Sequence, residues 1–227
     1  ITCQHRLLTE HLGVKRIRLV AGFSMGGMQA YQWGALYPDL VQAIAPICAS
    51  ARISDHNWLF VDSAKAALML DPDFKDGWYE SPPLRGMLAF GKVYAAWLFS
   101  QDFMREKLYR GIGLASRRDV VLLTQNYFLQ NDANDLLAMA DSWLHGDISA
   151  NEVFHGDLAR ALAAITCRAI VMPGATDQYF PPADNAAEVR QMPNAELRTI
   201  PSGWGHGAGF GLDPADNAFI DRALAEL

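Results

Sequence analysis

Cysteine is scarce in this chain. The three residues among 227, Cys3, Cys48 and Cys167, are odd in number and far apart. None has the CxxC or His-rich spacing of a zinc site or a disulfide framework. That excludes a disulfide-stapled domain and implies a reducing, cytoplasmic setting. Cys48 lies in the apolar run VQAIAPICA and Cys167 borders another, so both read as small buried hydrophobes. No run of about 18 or more apolar residues is present, so no membrane-spanning helix is predicted. The N-terminus also lacks the basic, apolar and small-residue order of a signal peptide. Positive charge is in deficit, with 19 Lys and Arg against 25 Asp and Glu for a net charge of -6. A phosphate-binding surface needs the opposite balance, and nucleic acid is set aside as a partner. Repeats, low-complexity tracts and charge runs are lacking too. The chain opens on Ile1 rather than Met, inside TCQHRLLTEHLG, which reads as a helix with Leu7, Leu8 and Leu12 on one face and Gly13 as its stop. The natural start is expected upstream.

What is present is apolar residue in quantity. At 51% hydrophobic content the chain can bury a sizeable core. Four short, apolar, β-branched segments read as strands buried on both faces: residues 17–21, 41–48, 169–172 and 196–200. Helical patterns follow the first, third and fourth, over residues 25–37, 182–191 and 214–227. This βα alternation predicts an α/β fold built on a parallel, doubly wound sheet. Residues 52–165 are too long for a crossover and show no period-2 alternation. Runs such as LRGMLAFGKVYAAWLF, DFMREKLYRGIG, RRDVVLLTQNYFLQN and DANDLLAMADSWLHGD read as helices. The expected organisation is a core of residues 1–51 and 166–227 carrying an inserted helical cap. The cap is rich in aromatics, most of them core, with some lining a substrate pocket or a subunit contact.

The chemistry is concentrated in Gly22-Phe23-Ser24-Met25-Gly26, a GxSxG pattern directly after the strand IRLVA and directly before the helix MGGMQAYQWGALY. A serine on so sharp a strand-to-helix turn is held in a strained backbone with its hydroxyl aimed outward. The flanking glycines leave room for the turn and for close helix-to-strand packing. The free amide of Met25 at the helix N-terminus offers half of an oxyanion hole.

In hydrolases of this fold the acid follows the serine in the chain, on the loop after a late strand, and the histidine comes after the last strand. Asp177 meets the first condition, in the turn-rich Pro173-Gly174-Ala175-Thr176-Asp177 after AIVM. His206 meets the second, framed by glycines in Ser202-Gly203-Trp204-Gly205-His206-Gly207-Ala208-Gly209. A histidine belongs there because its ordinary pKa lets it accept the serine proton and return it to a leaving group. His5, His11, His56, His145 and His155 have no such framing and read as surface residues.

Gly22 to Ala30 resembles the GGSMGGMQA elbow of homoserine O-acetyltransferases, α/β-hydrolase-fold acyltransferases. The similarity continues through Tyr37-Pro38-Asp39, residues 67–74, Pro83-Leu84-Arg85-Gly86, Asp132-Ala133-Asn134 and residues 177–182. The resemblance covers nearly the whole chain. It implies ping-pong acyl transfer, in which Ser24 takes an acetyl group from acetyl-CoA and His206 assists its passage to an alcohol acceptor. It also implies a homodimer formed through the cap, and no bound cofactor or metal. The sequence departs from the family where those transferases hold an amino-acid carboxylate: Phe90-Gly91-Lys92, Leu98-Phe99-Ser100 and Leu129-Gln130-Asn131 carry no arginine, and lysine does not replace a bidentate guanidinium. The departure points to another alcohol, or water, as acceptor.

A complete fold of this type carries several strands ahead of the nucleophile, yet Ser24 comes early here. The strand IRLVA is therefore expected at an open edge. The missing strands and the second oxyanion donor are expected from an N-terminal segment or chain. Ester hydrolysis by the same triad is the alternative within the enzyme class. A noncatalytic α/β module acting through partner binding is the alternative outside it.

Overall fold

A computed structural model describes residues 1–227. The chain opens with α1 (Thr2–Arg6), which widens into a π-turn over Leu7–His11 and stops at Gly13, whose φ of 65° ends the helical geometry. The face expected to be buried here is not: Leu7 and Leu12 are exposed, and only Leu8 packs partly against the core. Strand β1 (Val20–Phe23) begins later than the apolar run suggests, because Ile17 forms only an isolated bridge to Val41. It leads through Ser24 into α2 (Met25–Leu36), which is apolar on almost every side because it is packed on almost every side. Met28, Ala30, Tyr31, Trp33 and Ala35 are all buried. Strand β2 (Ala43–Ile47) follows, buried at all five positions.

Six helices lie between β2 and the next strand: α3 (Asp55–Met69), α4 (Leu84–Leu98), α5 (Gln101–Arg105), α6 (Arg117–Phe128), α7 (Ala133–Leu144) and α8 (Leu158–Ala163). Their starts are written in side chains that take up otherwise unpaired amides. Ser54 accepts from the Asn57 amide, Ser100 from Phe103, Asp132 from Asn134 and Asp135, and Ser116 forms a reciprocal capping box with Asp119. Helix α3 lacks a clean apolar periodicity in the sequence. Its apolar residues are interrupted by Asp62, Ser63 and Lys65, and the Ser54 cap is the local signal that marks it. The run DFMREKLYRGIG forms two short pieces, α5 and a 3-10 turn over Leu108–Ile112, broken where Lys107 takes a left-handed backbone.

The chain returns to the sheet with β3 (Arg168–Val171), α9 (Pro182–Val189), β4 (Ala195–Leu197) and α10 (Pro214–Ala225). The four strands are parallel and lie in the order β1-β2-β3-β4, so β1 and β4 are the edges. One apolar cluster packs α2 and α8 against one face through Tyr31, Ile44, Leu162 and Val171. Another packs α10 against the other face through Ile170, Met172, Ile220 and Ala223. A third packs α3, α5 and α7 against α2 and the loops after β3 and β4 through Met28, Phe60, Phe103, Trp143, Tyr179 and Trp204. No helix is long and apolar enough to cross a membrane.

Candidate active site

The site is assembled at the C-terminal ends of the strands, where an open α/β sheet presents its loops. At the end of β1 the Ser24 backbone adopts φ 55° and ψ -124°, a region non-glycine residues rarely occupy and hold only when their surroundings enforce it. The enforcement is visible. The Ser24 amide donates to the Ile47 carbonyl at 2.9 Å, while the Ser24 carbonyl accepts from the amides of Gly27 and Met28 at 2.8 and 3.0 Å and starts α2.

The glycines of the elbow divide the work unequally. A Cβ at Gly22 would lie 2.3 Å from the Gly26 carbonyl, and one at Gly27 would lie 2.5 Å from the Ala49 side chain. A Cβ at Gly26 meets nothing within 4 Å. Close packing therefore rests on Gly22 and Gly27, not on the second glycine of the GxSxG pattern. Met25, the first helical residue, has an amide without an intrahelical acceptor and stands beside the nucleophile.

The residues chosen from sequence converge. Ser24 Oγ lies 2.9 Å from His206 Nε2, and His206 Nδ1 lies 2.8 Å from Asp177 Oδ2, across sequence separations of 182 and 29 residues. With its proton on Nδ1 donated to Asp177, the imidazole presents Nε2 as an acceptor to the serine hydroxyl. The other carboxylate oxygen, Oδ1, accepts from the amides of Tyr179 and Phe180 at 2.8 and 3.2 Å. Asp177 and His206 are buried, while Ser24 is partly exposed.

The histidine loop is pinned on three sides. Thr176 Oγ1 donates to the Ser202 carbonyl at 2.9 Å and accepts from the Gly205 amide at 3.0 Å, tying the acid loop to the histidine loop. Ser100, at the start of α5, donates to the Gly203 carbonyl. Trp204 Nε1 donates to Asp213 at 2.9 Å. The His206 ring itself is enclosed by Phe23, Tyr179 and Phe180, with ring centroids 4.7, 4.8 and 5.6 Å away. The five other histidines are exposed or half-buried, and Lys92 is exposed on α4.

Cys48 is more than the small buried hydrophobe its apolar run suggests. Its sulfur, the Asp177 carboxylate and a ring nitrogen of His206 all lie within 4.8 Å of one another. They are the one trio of metal-ligand type in the chain, but two of its members are already engaged in the proton relay, so no metal is assigned to it. The only signal in the sequence was the position of Cys48 at the end of a central strand.

A serine on a strained strand-to-helix turn, with its base and acid delivered by later loops of a parallel sheet, defines a serine-nucleophile α/β protein. A family model described as alpha/beta hydrolase fold matches residues 3–210, and the chain belongs to that family. It is 37% identical to an ethyl acetate hydrolase of Pseudomonas veronii, over 100% of this chain and 65% of that protein. An acetylester hydrolase from Corynebacterium glutamicum superposes with a TM-score of 0.95 at 34% identity, over 100% of this chain and 65% of that one. A homoserine O-acetyltransferase of Trichormus variabilis is 31% identical over 88% of this chain and 57% of its own length. The chain thus spans about two thirds or less of these relatives.

Proposed function

We propose that this chain carries the catalytic triad of a short-chain ester hydrolase acting on acetyl esters of small alcohols. The observation that carries the reading is the continuous relay from Ser24 through His206 to Asp177, at 2.9 and 2.8 Å, in a chain similar along its whole length to an ethyl acetate hydrolase.

Ser24 Oγ attacks the ester carbonyl carbon as its proton passes to His206 Nε2. The carbonyl oxygen takes up the negative charge and is met by the Met25 amide. Collapse of the tetrahedral intermediate breaks the bond to the alcohol oxygen, which leaves with the proton from Nε2, and an acetyl group remains on Ser24. Water then attacks, His206 removes its proton, and acetate is released with Ser24 restored. Asp177 holds the tautomer and offsets the imidazolium charge in both halves. A segment ahead of Ile1, or a second chain, pairs with the open edge of β1 and supplies the second oxyanion donor.

Acetyl transfer from acetyl-CoA to an alcohol acceptor is the second reading, supported by the similarity to a homoserine O-acetyltransferase. The two share the acetyl-enzyme and differ in what discharges it. Water is favoured over an amino-acid alcohol because Phe90-Gly91-Lys92, Leu98-Phe99-Ser100 and Leu129-Gln130-Asn131 carry no arginine to pair with a substrate carboxylate. The apolar surface of the cap, including Trp58, Leu59 and Tyr127, supports contact with a second copy. The reducing setting of three free cysteines supports a cytoplasmic home.

The test is product analysis with the protein as its gene encodes it, including any residues ahead of Ile1. Ethyl acetate, or acetyl-CoA with and without homoserine, is supplied, and acetate and acetylated acceptor are quantified. Steady acetate from ethyl acetate, abolished by Ser24→Ala, is expected. Acetylated homoserine as the main product would replace hydrolysis by transfer, and no turnover of either donor would defeat both.

A further inference from the structure

The sulfur beside the triad has no part in the reaction just described, yet its placement is constrained. Cys48 is fully buried and follows the last residue of β2. Its neighbour Ile47 accepts the Ser24 amide, and its own amide donates to the Met172 carbonyl at 2.9 Å. It therefore sits between the strand end that leads toward the acid and the one that carries the nucleophile. Its φ is 46°, a left-handed backbone that suits glycine or asparagine and is strained for a residue with a substituted Cβ.

That conformation brings the sulfur to within 4.8 Å of the Asp177 carboxylate and the His206 ring. Three bonds already reach the carboxylate: two amides on Oδ1 and the imidazole on Oδ2. An ionised carboxylate has about four acceptor sites, so one remains. We propose that Cys48 is a positioning residue for the triad acid, its S–H donating to Asp177 and holding the carboxylate with Oδ2 turned toward His206.

The sulfur is kept as a thiol by its surroundings. Burial, and then the charge of Asp177, push its pKa well above the ordinary value. The ionisable groups that act on it are Asp177, on the loop after β3, and Asp216 on α10, with the His206 ring at the same trio. A thiolate there would face two carboxylates, so the donor form persists through the range in which the triad works. A thiol is also a weak donor. It orients the carboxylate while withdrawing little of the charge that must offset the imidazolium.

This inference rests on the triad reading above, and the test separates the two. Acetyl-ester hydrolysis is followed across pH for wild type, Cys48→Ala, Cys48→Gly and Cys48→Ser. Glycine relieves the backbone strain but removes the donor, so stability and positioning move in opposite directions. Cys48→Gly and Cys48→Ala are both expected to lower kcat about three- to ten-fold, the scale of one hydrogen bond at a reacting group, with KM unchanged. Their acid limb should move to higher pH, because an undamped Asp177 charge favours the protonated imidazole, and Cys48→Ser should restore both. Wild-type kcat and pH profile in Cys48→Gly would overturn the role of the thiol while leaving the triad intact. An inactive wild type would instead sink the triad reading itself.

Discussion

The Tyr31 hydroxyl donates to Glu188 Oε2 at 2.9 Å in the interior between α2 and α9, with no cation alongside the carboxylate. The other partners are neutral: the Asn185 amide at 3.0 Å and the Ala51 amide at 2.8 Å. Three hydrogen bonds do not replace water around a buried charge. Burial therefore raises the Glu188 pKa from 4.5 to about 7. The network joins the nucleophile helix, α9 and the loop that leaves β2, so its protonation state bears on the scaffold under the site.

The sign of the pH effect follows from that raised value. The folded state binds the proton more tightly than the unfolded chain, so this contribution to stability is fully present below about pH 4.5 and is lost as pH rises through about 7. The difference is of order 3 kcal/mol across that window. Urea midpoints measured at pH 5 and pH 8 should fall for wild type, and the fall should be smaller in Glu188→Gln. Parallel lines for the two proteins would assign the dependence to other groups.

Asp177→Asn keeps the size of the side chain but reverses its role toward the ring. An amide that donates to Nδ1 selects the tautomer with its proton on Nε2, and the serine then loses its base. The expected loss in kcat is about 10³- to 10⁴-fold with the melting temperature nearly unchanged, as for the corresponding change in other triads. Intact mass after brief exposure to an acetyl ester should show the adduct in wild type and none in Ser24→Ala.

Thr176→Val tests the tie between the acid and histidine loops. The variant removes the acceptor for the Gly205 amide and the donor to the Ser202 carbonyl. Leaving the buried Gly205 amide unpaired costs about 1–3 kcal/mol. Because His206 follows Gly205 directly, kcat should drop more than ten-fold while binding of a nonreactive ester analogue is retained. Thr176→Ser, which keeps the hydroxyl, should stay near wild type.

The elbow glycines should respond in an order the motif does not suggest. Gly22→Ala and Gly27→Ala place a methyl group inside 3 Å of backbone or of Ala49 and should yield unfolded or insoluble protein. Gly26→Ala meets open space and should fold with a melting temperature close to wild type. A destabilised Gly26→Ala beside a stable Gly27→Ala would invert this assignment.

What the sequence determined by itself is local, or ordered along the chain. The strand-turn-helix around Ser24, the apolar strands at 43–47 and 168–171, and the serine, aspartate and histidine in that order were legible because periodicity and turn chemistry act over a few residues. The tertiary structure alone decided which groups face one another across long separations. It set Cys48 against Asp177 and Glu188 against Tyr31, gave Gly27 the packing role expected of Gly26, and left Leu7 and Leu12 in solvent. A cysteine in an apolar run looks the same whether it fills space or donates to a catalytic carboxylate. The difference lies in β2 and β3 running side by side, a pairing that links residues more than a hundred positions apart.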